Sequence, residues 1–382
     1  MHEDLLEWRS EFPILSRKTY LINNSLGAMP KRTRERLQAF ADAWDQEGVE
    51  AWERWLPLVT ETGDLIGRII DAPPGQVMMH QNVSTLQAIL ASCFDFEGPR
   101  NKVVFTELNF PSVAYVWLEH RRRGARVEIV ESDDGITVDT EKLCDAIDEE
   151  TLIVPISHVL FRSAAIQDVA SIVEKAHRVG AMVCIDSYQA TGLVPFSVRE
   201  LNVDFCVGGS VKWLCGGPGA CYLYVREDHI RRLRPMMTGW FSHTRPFAFE
   251  MGEIVYADDI HRFMGGSPSV PALYSARSGY EIILEVGVQR IRERNLALTR
   301  RILERAKADG LRVNTPEEDT RRGGTVCVDF EGAEAAHKEL IRRGFLIDYR
   351  PRCGIRISPH FYNTQEECDA IMDEIAKIRE GR

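Results

Sequence analysis

Between residues 77 and 225, short apolar runs rich in β-branched side chains keep returning, each separated from the next by a longer stretch of helical or turn character, and this alternation limits the possible folds most. Residues 77–80, 102–106, 126–130, 152–156, 181–185, 203–207 and 221–225 read as strands. Residues 86–94, 141–147 and 165–179 read as helices, and Phe110-Pro111-Ser112 opens another. Strands that alternate with helices build a mainly parallel sheet with helices on both faces, here of about seven strands. The expected fold class is therefore α/β.

Residues 208–220, Gly-Gly-Ser-Val-Lys-Trp-Leu-Cys-Gly-Gly-Pro-Gly-Ala, connect two of those strands and hold a single lysine, Lys212. Desolvation beside Trp213 and Leu214 lowers the pKa of such an amine and favours its nucleophilic neutral form. A loop lysine reaching water past the indole is the plainer alternative. Asp186 ends the strand at 181–185, 26 residues before Lys212, and open α/β sheets bind ligands at the C-terminal ends of their strands. Pyridoxal phosphate chemistry needs this pair: a lysine that bonds the cofactor's aldehyde and an acid that keeps its pyridine nitrogen protonated.

In order and spacing, Ile156-Ser157-His158-Val159, the Asp186 segment, Val203-Asp204-Phe205 and Lys212-Trp213-Leu214-Cys215-Gly216-Gly217-Pro218-Gly219 resemble the class V aminotransferase family. Asn23-Asn24-Ser25-Leu26-Gly27-Ala28-Met29-Pro30 and Gly239-Trp240-Phe241-Ser242-His243 resemble the kynureninases within it. The resemblance covers nearly the whole chain and implies the fold-type I fold of pyridoxal phosphate enzymes. That fold has a large domain with a mainly parallel seven-stranded sheet and a small C-terminal α+β domain. Placed on this sequence, an N-terminal arm with helices takes 1–55, the cofactor-binding domain 56–260, and a helical connection with the small domain 261–382.

The resemblance also implies roles. Lys212 carries pyridoxal 5′-phosphate and Asp186 faces its ring nitrogen. Val83 and Ser84 hold the phosphate at a helix start, where free N–H groups and the helix dipole suit a dianion; a plain N-cap explains Ser84 as well. Phe110 stacks on the ring, Trp240 contacts the phosphate, and Ser157, His158, Gln189 and Ser210 complete the cofactor set. Ser267 reaches the phosphate of a neighbouring subunit, which implies a homodimer with shared sites. Asn24 and Ser25 lie on the substrate side, and Arg356 binds the α-carboxylate of an amino acid. The residues alone leave two of these open: Arg356, inside an apolar strand, needs an anion, which a structural salt bridge would also supply, and His158 could be a structural histidine.

Four positions depart from the kynureninase pattern: Val113 for Asp, Gln189 for His, Val211 for Tyr and Ser267 for Asn. After His158, Arg162-Ser163-Ala164 stands where the wider family has Thr-Gly. The expected function is a kynureninase-like hydrolase or lyase that cleaves an α-amino acid beyond Cβ, with kynurenine not required as substrate; an aminotransferase is the alternative. A cysteine desulfurase would need a mobile cysteine, and Cys327 reads as core while Cys353 lies three residues from Arg356. A nucleotide-binding loop at Gly216-Gly217-Pro218-Gly219 lacks the following lysine or helix entry. A non-catalytic binder of the cofactor would keep the same site.

A net charge of −10 argues against a nucleic-acid partner, and no apolar run approaches a membrane span. The first ten residues lack the apolar core of a secretory signal. Nine cysteines without metal-ligand or C-x-x-C spacing fit reduced thiols and no metal. The expected compartment is the cytoplasm. The aromatics between residues 38 and 55 read as an arm, packed either on a partner or on the chain's own core.

Overall fold

The computed structural model describes residues 2–381. The chain begins with β1 (Thr19–Tyr20), α1 (Arg32–Glu47) and α2 (Trp52–Ile70), and then alternates β2 (Val77–His80), α3 (Val83–Ala91), β3 (Lys102–Thr106), α4 (Pro111–Glu119), β4 (Arg126–Val130), α5 (Thr140–Asp145), β5 (Thr151–Ser157), α6 (Val169–Arg178) and β6 (Met182–Asp186). β7 (Phe205–Gly209), β8 (Cys221–Val225) and the short α7 (Glu227–Ile230) follow, and then α8 (Val270–Val286) and α9 (Val288–Ala308). The C-terminal part holds β9 (Arg312–Val313), β10 (Val326–Asp329), α10 (Ala333–Arg342), β11 (Phe345–Leu346), β12 (Asp348–Arg350), β13 (Gly354–Ile357) and α11 (Gln365–Glu380).

β2 to β8 form one seven-stranded sheet in the order β2-β8-β7-β6-β5-β3-β4. β8 runs antiparallel to both its neighbours, and the remaining pairs are parallel. β3, β7 and β8 are buried along their whole length, as strands covered on both faces must be, whereas the edge strand β4 is largely exposed and carries charge. β12-β13-β10-β9 make a small sheet over a second apolar core that includes Leu298, Ile302, Val326, Ile355 and Met372. Leu21 joins that core, and β1 pairs in parallel with β11, so the start of the chain is built into its C-terminal part.

The sheet is as expected; several boundaries moved for local reasons. The helix expected over 165–179 starts at Val169, because Ala165 and Ile166 form bridges to Arg322 and Val159 and the Asp168 side chain caps the first turn. The run expected at 203–207 becomes a strand only from Phe205, since the Asp204 carboxylate is held by His177, His229, Arg226 and the Val183 N–H. The strand expected near 345–349 splits at Ile347 into β11 and β12, which belong to different sheets. The aromatic arm divides: Phe40, Trp52 and Trp55 pack with Tyr274 and Val270, while Trp44 and Val49 stay exposed.

Candidate functional site

Four chain crossings meet at the C-terminal ends of β5, β6 and β7. β6 delivers Asp186 and β5 delivers Ser157, register partners in the ladder. β7 runs on into the glycine-rich loop, which is tied by the Gly216 N–H to Ser210 O (2.8 Å) and the Cys215 N–H to Lys212 O (3.0 Å). Ser210 serves this loop, its hydroxyl donating to Gly217 O and Ala220 O. The N-terminal turn lies against the same loop through the Gly27 N–H to Val211 O (2.8 Å). A β-carbon at Gly27 would overlap the Lys212 carbonyl oxygen, so only glycine permits the approach.

The result is a cavity of about 370 Å³ lined by Lys212, Asp186, Val83, Ser84, Phe110, Ser157, Gln189 and neighbouring residues. The Lys212 amine lies 4.6 Å from the Tyr188 ring centre and 5.5 Å from that of Phe110. It makes no hydrogen bond or ion pair among the described residues, and burial pushes its pKa down to about 8 against the opposing pull of Asp186. Burial raises the Asp186 carboxyl, which the Tyr188 N–H and Lys212 counteract. Tyr188 N binds one Asp186 oxygen at 2.9 Å; the other has no hydrogen-bond partner among the described residues. Asn82 caps α3 by accepting from the Thr85 N–H, and Ser84 beside it has neither its hydroxyl nor its N–H engaged among the described residues.

On the side facing the small sheet, Arg356 of β13 is buried opposite Asp348 of β12, its register partner. Asp348 takes Nε at 2.8 Å and also Nη2, and Phe161 O takes Nη1 at 2.5 Å. The anion that the apolar setting of Arg356 demands is thus supplied by the chain. The Asn24 amide, oriented with its nitrogen 2.8 Å from Ser358 Oγ, sets its oxygen 3.1–3.2 Å from the guanidinium nitrogens. Gln189 ties these parts together, donating to Asn24 O and accepting from the Trp213 indole, both at 3.0 Å.

Arg356, Asn24 and Ser210 do not line the cavity, which reaches this side only through Phe161 and Gln189, and the remaining candidates lie outside the lining as well. His158 follows β5 and does not join Ser157 and Val159 in the lining; it lies edge-on to Phe196 at 4.9 Å, and burial brings its pKa down to about 4. Ser25 is half-buried, its N–H bound to Ile22 O. Trp240 is 39% exposed among Phe241, Phe247 and Phe249 and lines a different cavity with Val49 and Trp52; Ser267 lines neither. Asp348, Tyr188 and Phe161 went unread in the sequence. Asp348 was findable, because Pro351-Arg352-Cys353-Gly354 reads as a turn that would set residue 348 opposite 356.

A sequence model described as Aminotransferase class-V matches residues 20–371. The chain belongs to the class V aminotransferase family. This is a family of pyridoxal phosphate enzymes, and two similar members carry different descriptions. A kynureninase of Bacillus anthracis is 30% identical, with 96% of this chain and 89% of that protein aligned. An uncharacterized aminotransferase of Bacillus subtilis is 29% identical, with 97% of both aligned. Among solved structures, an apo cysteine desulfurase from Thermococcus onnurineus NA1 superposes with a TM-score of 0.86 over 98% of each chain. At 19% identity that likeness is one of fold. Among the described residues of this family member, no group of side chains could hold a metal ion, and no helix is long and apolar enough to cross a membrane.

Proposed function

We propose that this enzyme is a kynureninase-like hydrolase or lyase acting on an α-amino acid. The observation that carries the cofactor side is the Lys212 amine, unpaired over an aromatic ring in the cavity that Asp186 also lines. The residues present fit pyridoxal phosphate: a nucleophilic amine, a buried carboxylate with one free oxygen, and an open helix N-terminus at Ser84. When bound, the cofactor supplies an electron sink for the carbanion left at the substrate's Cα.

In this reading Lys212 Nζ would hold the cofactor, and as a free amine it would take and return the proton at the substrate's Cα. Asp186 would keep the ring nitrogen protonated, Phe110 would pack against the ring, and Ser84 with the Val83 backbone would hold the phosphate. Of the five N–H groups of Arg356, Asp348 takes two and Phe161 O one, and the Asn24 oxygen stands 3.1–3.2 Å from its nitrogens; the two N–H groups left over would bind a carboxylate. Asn24 links the N-terminal turn to that arginine, and this contact, together with the kynureninase relatives, supports cleavage beyond Cβ over amino transfer. Val211 cannot donate a hydrogen bond as a tyrosine would, so kynurenine itself should be a weak substrate.

Incubation with kynurenine, 3-hydroxykynurenine and simple amino acids, with and without a keto acid, followed by product analysis, tests the reaction. If turnover requires the keto acid and yields a stoichiometric new amino acid, the aminotransferase replaces this reading. We also infer a homodimer, supported by the exposed apolar group at Trp240, Phe247, Phe249 and Met251 and by Trp240 and Ser267 lying outside their own chain's cavity. A cytoplasmic location accords with the nine unpaired cysteines.

A further inference from the structure

Two buried thiols share one acceptor behind Arg356. Cys327 Sγ of β10 and Cys353 Sγ, in the turn before β13, donate to the same oxygen, the carbonyl of Arg162, at 2.9 and 3.0 Å. The two sulfurs thus converge on one atom, and each shifts the acidity of the other. The seven other cysteines are neither in β10 nor in this turn, and all nine are free. Cys327 is the register partner of Arg356. The carbonyl they hold follows directly on Phe161, whose own carbonyl binds Arg356 and whose ring meets Phe110 edge-on at 5.2 Å in the Lys212 cavity. A polar cavity of about 350 Å³, lined by Arg162, Arg352, Arg312 and Asp329, lies beside the segments that carry the pair, since Arg352 precedes Cys353 and Arg162 is the shared acceptor.

We propose that Cys327 and Cys353 form a reversible disulfide that loosens the Phe161–Arg162 segment and weakens substrate capture at Arg356. The two thiols differ in acidity. Despite burial, the neighbouring Cys353, the Thr315 hydroxyl and the Arg356 charge lower the pKa of Cys327, while Cys327 and burial raise that of Cys353. Cys327 is therefore the attacking thiolate. With hydrogen peroxide as oxidant, its sulfur takes one oxygen from the O–O bond, giving a sulfenic acid, and the other oxygen leaves as water. The Cys353 sulfur then displaces the sulfenic oxygen as a second water, so two thiols give two electrons and two protons to one peroxide. A small dithiol reverses the reaction by exchange. The disulfide has no S–H, so the Arg162 carbonyl loses both donors in a buried setting.

The test uses the holoenzyme treated with hydrogen peroxide, alkylated and digested with trypsin. The expected product is peptide 323–338 disulfide-linked to peptide 353–356, absent after dithiothreitol and absent in Cys353→Ser, whose hydroxyl still donates to Arg162 O. The oxidised enzyme should show a KM for its amino acid raised by about fivefold, the worth of roughly one hydrogen bond, restored by dithiothreitol, with the visible absorbance of the cofactor unchanged. Oxidation of Cys93 and Cys144 without the linked peptide overturns the proposal, and so does the linked peptide with an unchanged KM. The KM arm rests on the reading of Arg356 given above, but the peptide map requires no turnover, so the two can fail separately.

Discussion

At Lys212, burial works against folding and in favour of chemistry. An ammonium whose pKa falls from 10.5 to about 8 costs the folded apoprotein on the order of 3 kcal/mol at neutral pH. The unfolded chain binds the extra proton between those two values, so apoprotein stability should rise as pH climbs from about 8 to above 10. Lys212→Met removes the charge at similar volume. Urea unfolding of the apoprotein should find the variant more stable than wild type at pH 7, with the difference shrinking by pH 10; a less stable variant at pH 7 would refute a desolvated amine. At Arg356, lysine keeps the charge but loses the planar fork shared by Asp348 and substrate. Arg356→Lys should raise KM by roughly tenfold or more with a smaller change in kcat, the mark of lost ground-state binding. Asp186→Asn should instead lower kcat while leaving bound cofactor, read as visible absorbance, largely in place.

At the scale of elements, the decisive contact is that of the N-terminal turn with the glycine-rich loop. Gly27→Ala forces a methyl group into the Lys212 carbonyl, against backbone that cannot step aside. A loss of about 1–3 kcal/mol, typical of overpacking, is expected in urea unfolding, together with slower reduction of the cofactor onto Lys212 by borohydride. The strands of the large sheet were legible because strands buried on both faces are apolar end to end, and only side chains with other duties, such as Asp204, blurred their ends. Asp186 and Lys212 were legible because ionisable groups stand out at the ends of such runs. The placement of His158 and Ser210 could not be read, since the face to which a strand-end residue turns is set by register and by loop closure. The same holds for the Asp348–Arg356 pair: each residue was visible, but their pairing depends on how one short hairpin closes.

Across the whole molecule, Trp240, Phe247, Phe249 and Met251 leave apolar side chains open to water, Met251 at 99% exposure, as interaction surfaces do. Phe249→Asp combined with Met251→Asp should convert a dimer to monomer in analytical ultracentrifugation and weaken cofactor retention, because Trp240 would lose the partner's cavity. A wild-type monomer of full activity would overturn the shared site. The joining of β1 to β11, and of Asn23 to Ser358 O at 2.8 Å, carries a consequence for synthesis. A nascent chain has both Asp186 and Lys212 outside the ribosome long before Phe345 and Arg356 are made, and domains generally fold as they emerge. Strand β1 must wait for β11 while the turn at Gly27 can already settle on the glycine-rich loop, so the part that holds Lys212 is complete before the part that holds Arg356.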